Sequence, residues 1–324
     1  MKKILVTGGA GFIGSNLCEH LLKIGYEVIC LDNFSTGHMS NIQHLLNNFS
    51  THFTLIEGDI RNLETCIRAS KGVDSILHEA ALGSIPRSID DPITTNDVNI
   101  GGFLNMLVAA KDNNVKRFIF AASSSTYGDS TELPKVEDRI GRPLSPYALT
   151  KYVDELYAEV FAKTYGIEYI GLRYFNVFGR RQDPDSTYAA VIPLFIKQYL
   201  NHQQPKINGD GLYTRDFTYI DNVIHMNMLA LNTVNPSSIN QIYNTACGEQ
   251  ITINKLAHLI KTYLSQYDSY VSTIDPINGP YRLGDIPHSF ACIDKAKLLL
   301  GYKPLISFKE GLINTIEWYV NNHI

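Results

Sequence analysis

Paired cysteines are missing from this sequence. Its five cysteines (Cys18, Cys30, Cys66, Cys247 and Cys292) are scattered, odd in number and contain no Cys-x-x-Cys pair. That excludes a disulfide framework and reads as reduced thiols. The ten histidines form no His-Glu-x-x-His motif or clustered ligand spacing, so no metal is expected. Excess positive charge is missing too: 28 Lys and Arg against 32 Asp and Glu give a formal net charge of −4. A general nucleic-acid binder needs the opposite balance, so an anionic ligand must be held by a few placed cations and by backbone N–H groups. Long hydrophobic runs are also absent. The opening "MKKILVTGG" meets a glycine turn before any signal-peptide core can form, and no later stretch approaches a membrane span. The expectation is a cytoplasmic protein without a membrane partner.

What is present suits a folded enzyme-sized chain. With 324 residues, 44% hydrophobic and 19% charged, it can form one large α/β domain or two unequal ones. Short apolar runs ("KILVT", "EVICLD", "FTLIEGD", "DSILHEA", "RFIFAAS", "EYIGLRY") alternate with helical spacing over residues 12–24, 38–48, 62–70, 95–114 and 146–165. Strands buried on both faces and separated by helices predict an α/β fold: a doubly wound parallel sheet of the Rossmann type. After residue 177, Gly-, Pro- and Asp-rich loops separate shorter helices near 190–201, 252–266, 294–300 and 308–322. The predicted organisation is a dinucleotide-binding domain over 1–176 and a smaller mixed α/β region over 177–324, mainly for substrate. A segment near 216–247 returns to the first domain, its "QIYNTA" reading as a strand of the main sheet.

The turn "VTGGAGFIGSNL" sets Gly8, Gly11 and Gly14 between the first strand and the first helix. Glycine permits a tight turn and close backbone approach to a diphosphate, and the helix N-terminus offers free N–H groups. Asp32, at the end of the second strand, stands where a carboxylate can bond a ribose 2′-hydroxyl and repel a 2′-phosphate, which favours NAD over NADP. Asp59 in "EGDI" is either an adenine contact or a turn-former. At the other end, "RFIFAASSSTYG" closes the fifth strand with Ser123, Ser124 and Ser125, and "SPYALTK" opens a helix carrying Tyr147 and Lys151 one turn apart. A free phenol ionises near pH 10; a neighbouring ammonium and a nicotinamide cation both favour the phenolate. Such a base removes a hydroxyl proton while hydride leaves the adjoining carbon for NAD.

The stretches "TGGAGFIG", "LDNFSTG", "HEAALGSIPRSIDDP", "SPYALTKYVDE", "LRYFNVFGRRQDP" and "INGDGLYTRDFTYIDNV" together resemble the extended short-chain dehydrogenase/reductase family. Within it they resemble the bacterial UDP-N-acetylglucosamine 4-epimerases, relatives of UDP-galactose 4-epimerase. The resemblance covers essentially the whole chain. It implies oxidation of sugar C4 to a ketone by bound NAD, rotation of the sugar, and return of hydride to the opposite face. Tyr147 would be the acid/base, Lys151 the ligand of the nicotinamide ribose, and Ser123 the partner of the reacting hydroxyl. Ser124 and Ser125 would place the sugar.

Further cofactor contacts implied are Phe12, Ile13, Asn33, Ser35, Thr36, Gly37, Ile60, Ala80, Ala81, Asn99 and Tyr174. UDP-sugar contacts implied are Gly83, Ser84, Arg87, Asn176, Ala190, Val191, Asn208, Arg215, Arg282, Asp285 and Ser289. Ser289 stands where epimerases of non-acetylated sugars carry a bulky tyrosine, so its small side chain leaves room for an N-acetyl group. Two positions depart from the family pattern: Glu79, where relatives carry a neutral residue, and Cys292, in place of an aspartate. Three other readings stay open. A nucleotide-sugar dehydratase or decarboxylase would need an acid where Ser124 and Ser125 stand. A UDP-uronic acid 4-epimerase could use Arg87 on the carboxylate, and a noncatalytic dinucleotide-sensing regulator would have no need of the Tyr147–Lys151 pair. A homodimer is expected through the helices over 95–114 and 146–165, with Phe103, Leu104, Leu107, Val153, Leu156 and Val160 as the outward apolar residues.

Overall fold

The six apolar runs become parallel strands, the first five each followed by helix. The computed structural model describes residues 2–281 and 286–322. In chain order the first part runs β1 (Lys3–Thr7), α1 (Phe12–Lys23), β2 (Glu27–Asp32), α2 (Gln43–Asn48), β3 (Phe53–Glu57), α3 (Leu63–Ser70), β4 (Ser75–His78), α4 (Ile85–Asp90), α5 (Pro92–Asn96), α6 (Gly102–Asp112), β5 (Arg117–Ser123), α7 (Pro146–Tyr165) and β6 (Glu168–Tyr174). The remainder runs β7 (Val177–Phe178), α8 (Val191–Leu200), β8 (Lys206–Asn208), β9 (Thr214–Arg215), β10 (Thr218–Tyr219), α9 (Ile220–Asn232), β11 (Gln241–Thr245), β12 (Ile251–Thr252), α10 (Ile253–Leu264), β13 (Ile277–Gly279), α11 (Asp294–Leu300) and α12 (Phe308–Asn321).

The main sheet has the order β11-β6-β5-β4-β1-β2-β3 and is parallel throughout. Alternate strand residues face opposite layers, which is why the runs are apolar throughout. Ile4, Val6, Val28 and Cys30 pack with Leu17 and Leu21 of α1. Leu5, Ile29, Leu31 and Ile76 pack on the other side with Phe103 and Leu107 of α6 and Phe161 of α7. Strand order changes direction between β1 and β4, and that switch opens a crevice at the strands' carboxyl ends. "QIYNT" does return to this sheet, pairing beside β6 from Gln241↔Ile170 to Thr245↔Tyr174. Three two-stranded ribbons (β7 with β10, β8 with β13, β9 with β12) belong to the later part.

Three expectations need correction. The helix expected over 95–114 is interrupted: α5 passes through a π-turn at Asp97–Gly101 before α6. Helices α4 and α9 were not anticipated; α9 follows Tyr219 without a side-chain cap, so no capping residue marks its start. Phe103 and Leu107 are not outward residues. Both are fully buried in the chain's own core, because the apolar stripe of α6 is turned toward the sheet and α3 rather than toward a second copy.

Candidate active site

The turn after β1 is shaped by what glycine lacks. Gly8 has φ of 65°, and a Cβ there would lie 2.8 Å from the Ala80 amide nitrogen; a Cβ on Gly14 would lie 2.1 Å from the Gly8 carbonyl oxygen. Side chains are therefore excluded where α1 meets the strands. Above this turn lies a cavity of about 300 Å³. Gly8, Gly11, Phe12, Ile13 and Gly14 line it from the turn; Asp32, Asn33, Ser35 and Thr36 line it from the β2 loop; Asp59, Ile60, Ala80, Ala81 and Gly83 complete it.

The acidic residues of the cavity are held by their own loops. Asp32 accepts from the Ala10 amide at 2.9 Å and the Phe34 amide at 2.8 Å, so it fixes the turn as well as facing the cavity. Asp59 is gripped by Arg61, whose hydrogen bonds and charge, with a bond from Asn33 at 2.9 Å, hold its carboxyl down to about 2. The turn-forming role of Asp59 is thus plain in the geometry. Gly37 lies against Ala10. Asn99 sits in the π-turn, accepts from the Leu82 amide and donates to Thr150. It braces the cavity wall from behind.

The catalytic candidates lie on two elements that Lys151 links. Helix α7 begins where Ser145 accepts from the Ala148 amide at 3.1 Å and Pro146 occupies the first turn, and it ends at Gly166 in the left-handed conformation. Tyr147 and Lys151 share one face of this helix. Lys151 is buried, and its Nζ donates to the carbonyl of Ala121 in β5 at 3.0 Å and to Asp154 at 3.3 Å. That carbonyl lies two residues before Ser123, which ends β5, so the ammonium ties α7 to the serine strand. Ser123 Oγ accepts from the Ser125 amide at 3.1 Å and the Ser125 hydroxyl at 2.8 Å. Ser124 begins the short 3-10 turn Ser124–Tyr127.

Two buried carboxyls flank this lysine: Glu79, which departs from the family pattern, and Asp154, which no sequence signal marks. Asp154 is fully buried, and burial pushes its carboxyl up to about 7 against the pull of Lys151. Glu79 lines the cavity directly after β4. Its Oε1 accepts from the Tyr174 hydroxyl at 2.8 Å, Asn227 donates to that hydroxyl at 2.9 Å, and Oε2 is buried with no partner among the described residues. Burial pushes Glu79 up to about 8, although Tyr174 and Lys151 favour its ionised form. His78, bonded to Thr7 at 2.9 Å, is driven down to about 3 by burial and by Lys151, so its ring is neutral. Asp154 lies one turn past Lys151 on α7 and Asn227 lies on α9; no spacing marks either as a site residue, and their contacts with Lys151 and Tyr174 reveal them.

Of the expected sugar-side residues, Gly83 lines the cavity, and the others among the described residues lie on separate elements outside its lining. Ser84 caps α4 by accepting from the Arg87 amide at 3.2 Å. The Arg87 guanidinium lies 5.3 Å from the centre of the Tyr188 ring, and Tyr188 donates to Asp90 at 2.8 Å. Asn176, at φ 33°, donates to the Asp216 carbonyl at 3.1 Å. Ala190 and Val191 open α8, and Asn208 ends β8. Arg215 donates to the carbonyls of Thr214 and Pro287, and the Ser289 amide donates to Thr214. Arg282 and Asp285 lie outside the described residues. Cys292 donates to Asp294 at 3.5 Å, and its carbonyl accepts from Asn244 of β11 at 2.9 Å.

The profile of the family described as NAD dependent epimerase/dehydratase matches residues 4–246. The chain belongs to this family. It is 32% identical over 321 residues to a UDP-glucose 4-epimerase of Mycolicibacterium smegmatis, covering 98% of this chain and 99% of the other. Two solved structures share its architecture. A UDP-glucose 4-epimerase of Thermotoga maritima, with UDP-glucose, is 36% identical with a TM-score of 0.91, covering 99% of this chain and 100% of that one. A UDP-N-acetylglucosamine 4-epimerase of Methanobrevibacter ruminantium, in complex with UDP-N-acetylmuramic acid, is 38% identical with a TM-score of 0.90 and 99% coverage of both chains. The family's cofactor fits the residues present: the side-chain-free cradle at Gly8 and Gly14 suits a diphosphate, and Asp32 on the far side of the turn suits an adenosine ribose. NAD is therefore the cofactor of this family member.

Proposed function

We propose that this chain catalyses NAD-dependent 4-epimerisation of a UDP-hexose, acting on the UDP-GlcNAc/UDP-GalNAc pair and to a lesser extent on UDP-Glc/UDP-Gal. The observation that carries this reading is the tether from Lys151 on α7 to the Ala121 carbonyl of β5, which brings the Tyr147 helix to the strand ending in Ser123, next to β4, whose end runs into the cavity wall at Glu79. Tyr147 takes the proton of the sugar 4-hydroxyl and returns it after the ring has turned over. Ser123 orients that hydroxyl, with Ser124 and Ser125 around it. Lys151 has three donors, two of them already placed, and the third serves the nicotinamide ribose. Bound NAD supplies the acceptor and donor of hydride. The serines beside Ser123 offer no carboxyl for elimination or decarboxylation, which favours epimerisation over those reactions. Ser289, small and anchored through its amide to Thr214, supports the acetylated pair.

Arg87 supports a second reading, a UDP-uronic acid 4-epimerase, in which its guanidinium meets the sugar carboxylate. Exposed Ile89, Ile93, Leu149, Leu156 and Val160 lie on α4, α5 and α7, which pack together. They support a homodimer through this face. The deciding experiment mixes the purified protein with UDP-GlcNAc, UDP-Glc or UDP-GlcA, without added oxidant, and follows the anomeric protons by NMR. Faster interconversion of UDP-GlcNAc with UDP-GalNAc is expected. Faster turnover of UDP-Glc would overturn the Ser289 reading, and turnover of UDP-GlcA alone would establish the Arg87 one.

A further inference from the structure

Strand order dictates how a dinucleotide crosses this sheet. Asp32 ends β2 on one side of the glycine turn of β1; Glu79 follows β4 on the other side, next to β5 with Ser123. With the adenosine half at Asp32, the nicotinamide half falls on the side of Glu79 and Lys151. The main chain of Glu79 forms part of the cavity floor: a Cβ on Gly8 would lie 3.0 Å from its carbonyl carbon. Three groups face this carboxyl or stand directly behind it, while the imidazole of His78 turns to the other layer and packs with Phe103 and Phe118. Tyr174 from β6 donates to Oε1, and Asn227 from α9 stands behind Tyr174. His78, one residue earlier, is occupied by Thr7. Lys151 from α7 is bonded to Ala121 and Asp154. One ammonium thus sits among two buried carboxyls and is in contact with Asp154, leaving Glu79, among the described residues, with a single neutral donor and a sealed, unpartnered Oε2. A carboxyl so placed keeps its proton until another positive charge arrives.

We propose that Glu79 is a positioning residue that senses cofactor charge: it holds its proton beneath a reduced, neutral nicotinamide and ionises beneath the oxidised, cationic one, so that it biases the bound couple toward NAD. The inference rests on the family's use of NAD. Linkage makes the effect reciprocal, because a cation that favours the carboxylate is itself held more tightly by it. A nonredox enzyme must end every turnover with its cofactor oxidised, and this group disfavours the stranded reduced form.

The test measures the dissociation constants of NAD and NADH by calorimetry on the full chain freed of nucleotide, from about pH 6 to about pH 10. The ratio Kd(NADH)/Kd(NAD) is expected to rise with pH by about tenfold as Glu79 ionises. In Glu79→Gln, which keeps the acceptor for Tyr174, the ratio is expected to stay flat. In Tyr147→Phe the rise is expected to persist, which separates Glu79 from the phenol. Tyr174→Phe removes the donor that stabilises the carboxylate, so the rise should move to higher pH. A wild-type ratio independent of pH, a rise that survives Glu79→Gln, or a rise lost in Tyr147→Phe would overturn the proposal.

Discussion

Tyr147 is the side chain on which the proposed reaction turns, and its removal is the most direct residue-scale test. Tyr147→Phe keeps the ring and its place on α7 but removes the proton acceptor. Turnover should fall by about 10²- to 10⁴-fold, measured as initial rates by NMR. Unchanged turnover would transfer the acid/base role elsewhere. Ser289→Tyr tests the sugar pocket. The Ser289 amide is fixed on Thr214, so the substitution changes side-chain volume without releasing the backbone. The ratio of acetylated to non-acetylated turnover should drop by about tenfold or more, and competition between the two UDP-sugars in one tube would show it. At this scale legibility followed sequence distance. Gly8, Gly14, Tyr147 and Lys151 announce themselves by spacing within one turn. Glu79 stood out as an acid but its surroundings did not, since Tyr174 reaches it from 95 positions away and Asn227 bonds to Tyr174 from farther still.

Elements were legible where local chemistry is unambiguous. Helix α7 has Ser145 as cap, Pro146 in its first turn and Gly166 at its end, so its bounds followed from the sequence alone. Ser145→Ala removes the bond to the Ala148 amide and should cost about 1 kcal/mol. A lowered urea midpoint at unchanged slope would register it, and since the cap sits just before Tyr147, activity should weaken with it. The π-turn at Asp97–Gly101 had no such signal. It is a tertiary compromise that lets Asn99 reach both Leu82 and Thr150, and propensity does not report a compromise of that kind. Helix α9 escaped for a related reason: it opens without a capping side chain, and packing of Val223, Ile224 and Met226 into the core holds it instead.

At the scale of the whole molecule, the alternation of strand and helix made the main sheet legible, whereas the ribbons of the second half are two or three residues per strand and have no periodicity to read. The outward apolar face of α4, α5 and α7 is a property of the assembled chain. Leu149, Leu156 and Val160 are each more than two-fifths exposed, and sedimentation at micromolar concentration should give a dimer that Val160→Glu converts to monomer. A monomeric wild type would remove the proposed assembly. The returning strand β11 bears on biosynthesis. Because β6 takes its outer neighbour from residues 241–245, the nucleotide platform keeps an open, pairing-competent edge while residues 175–240 are still being made. A nascent chain halted near residue 176 would carry every residue proposed for chemistry and yet wait, unfinished and prone to association, for a strand the ribosome has not reached.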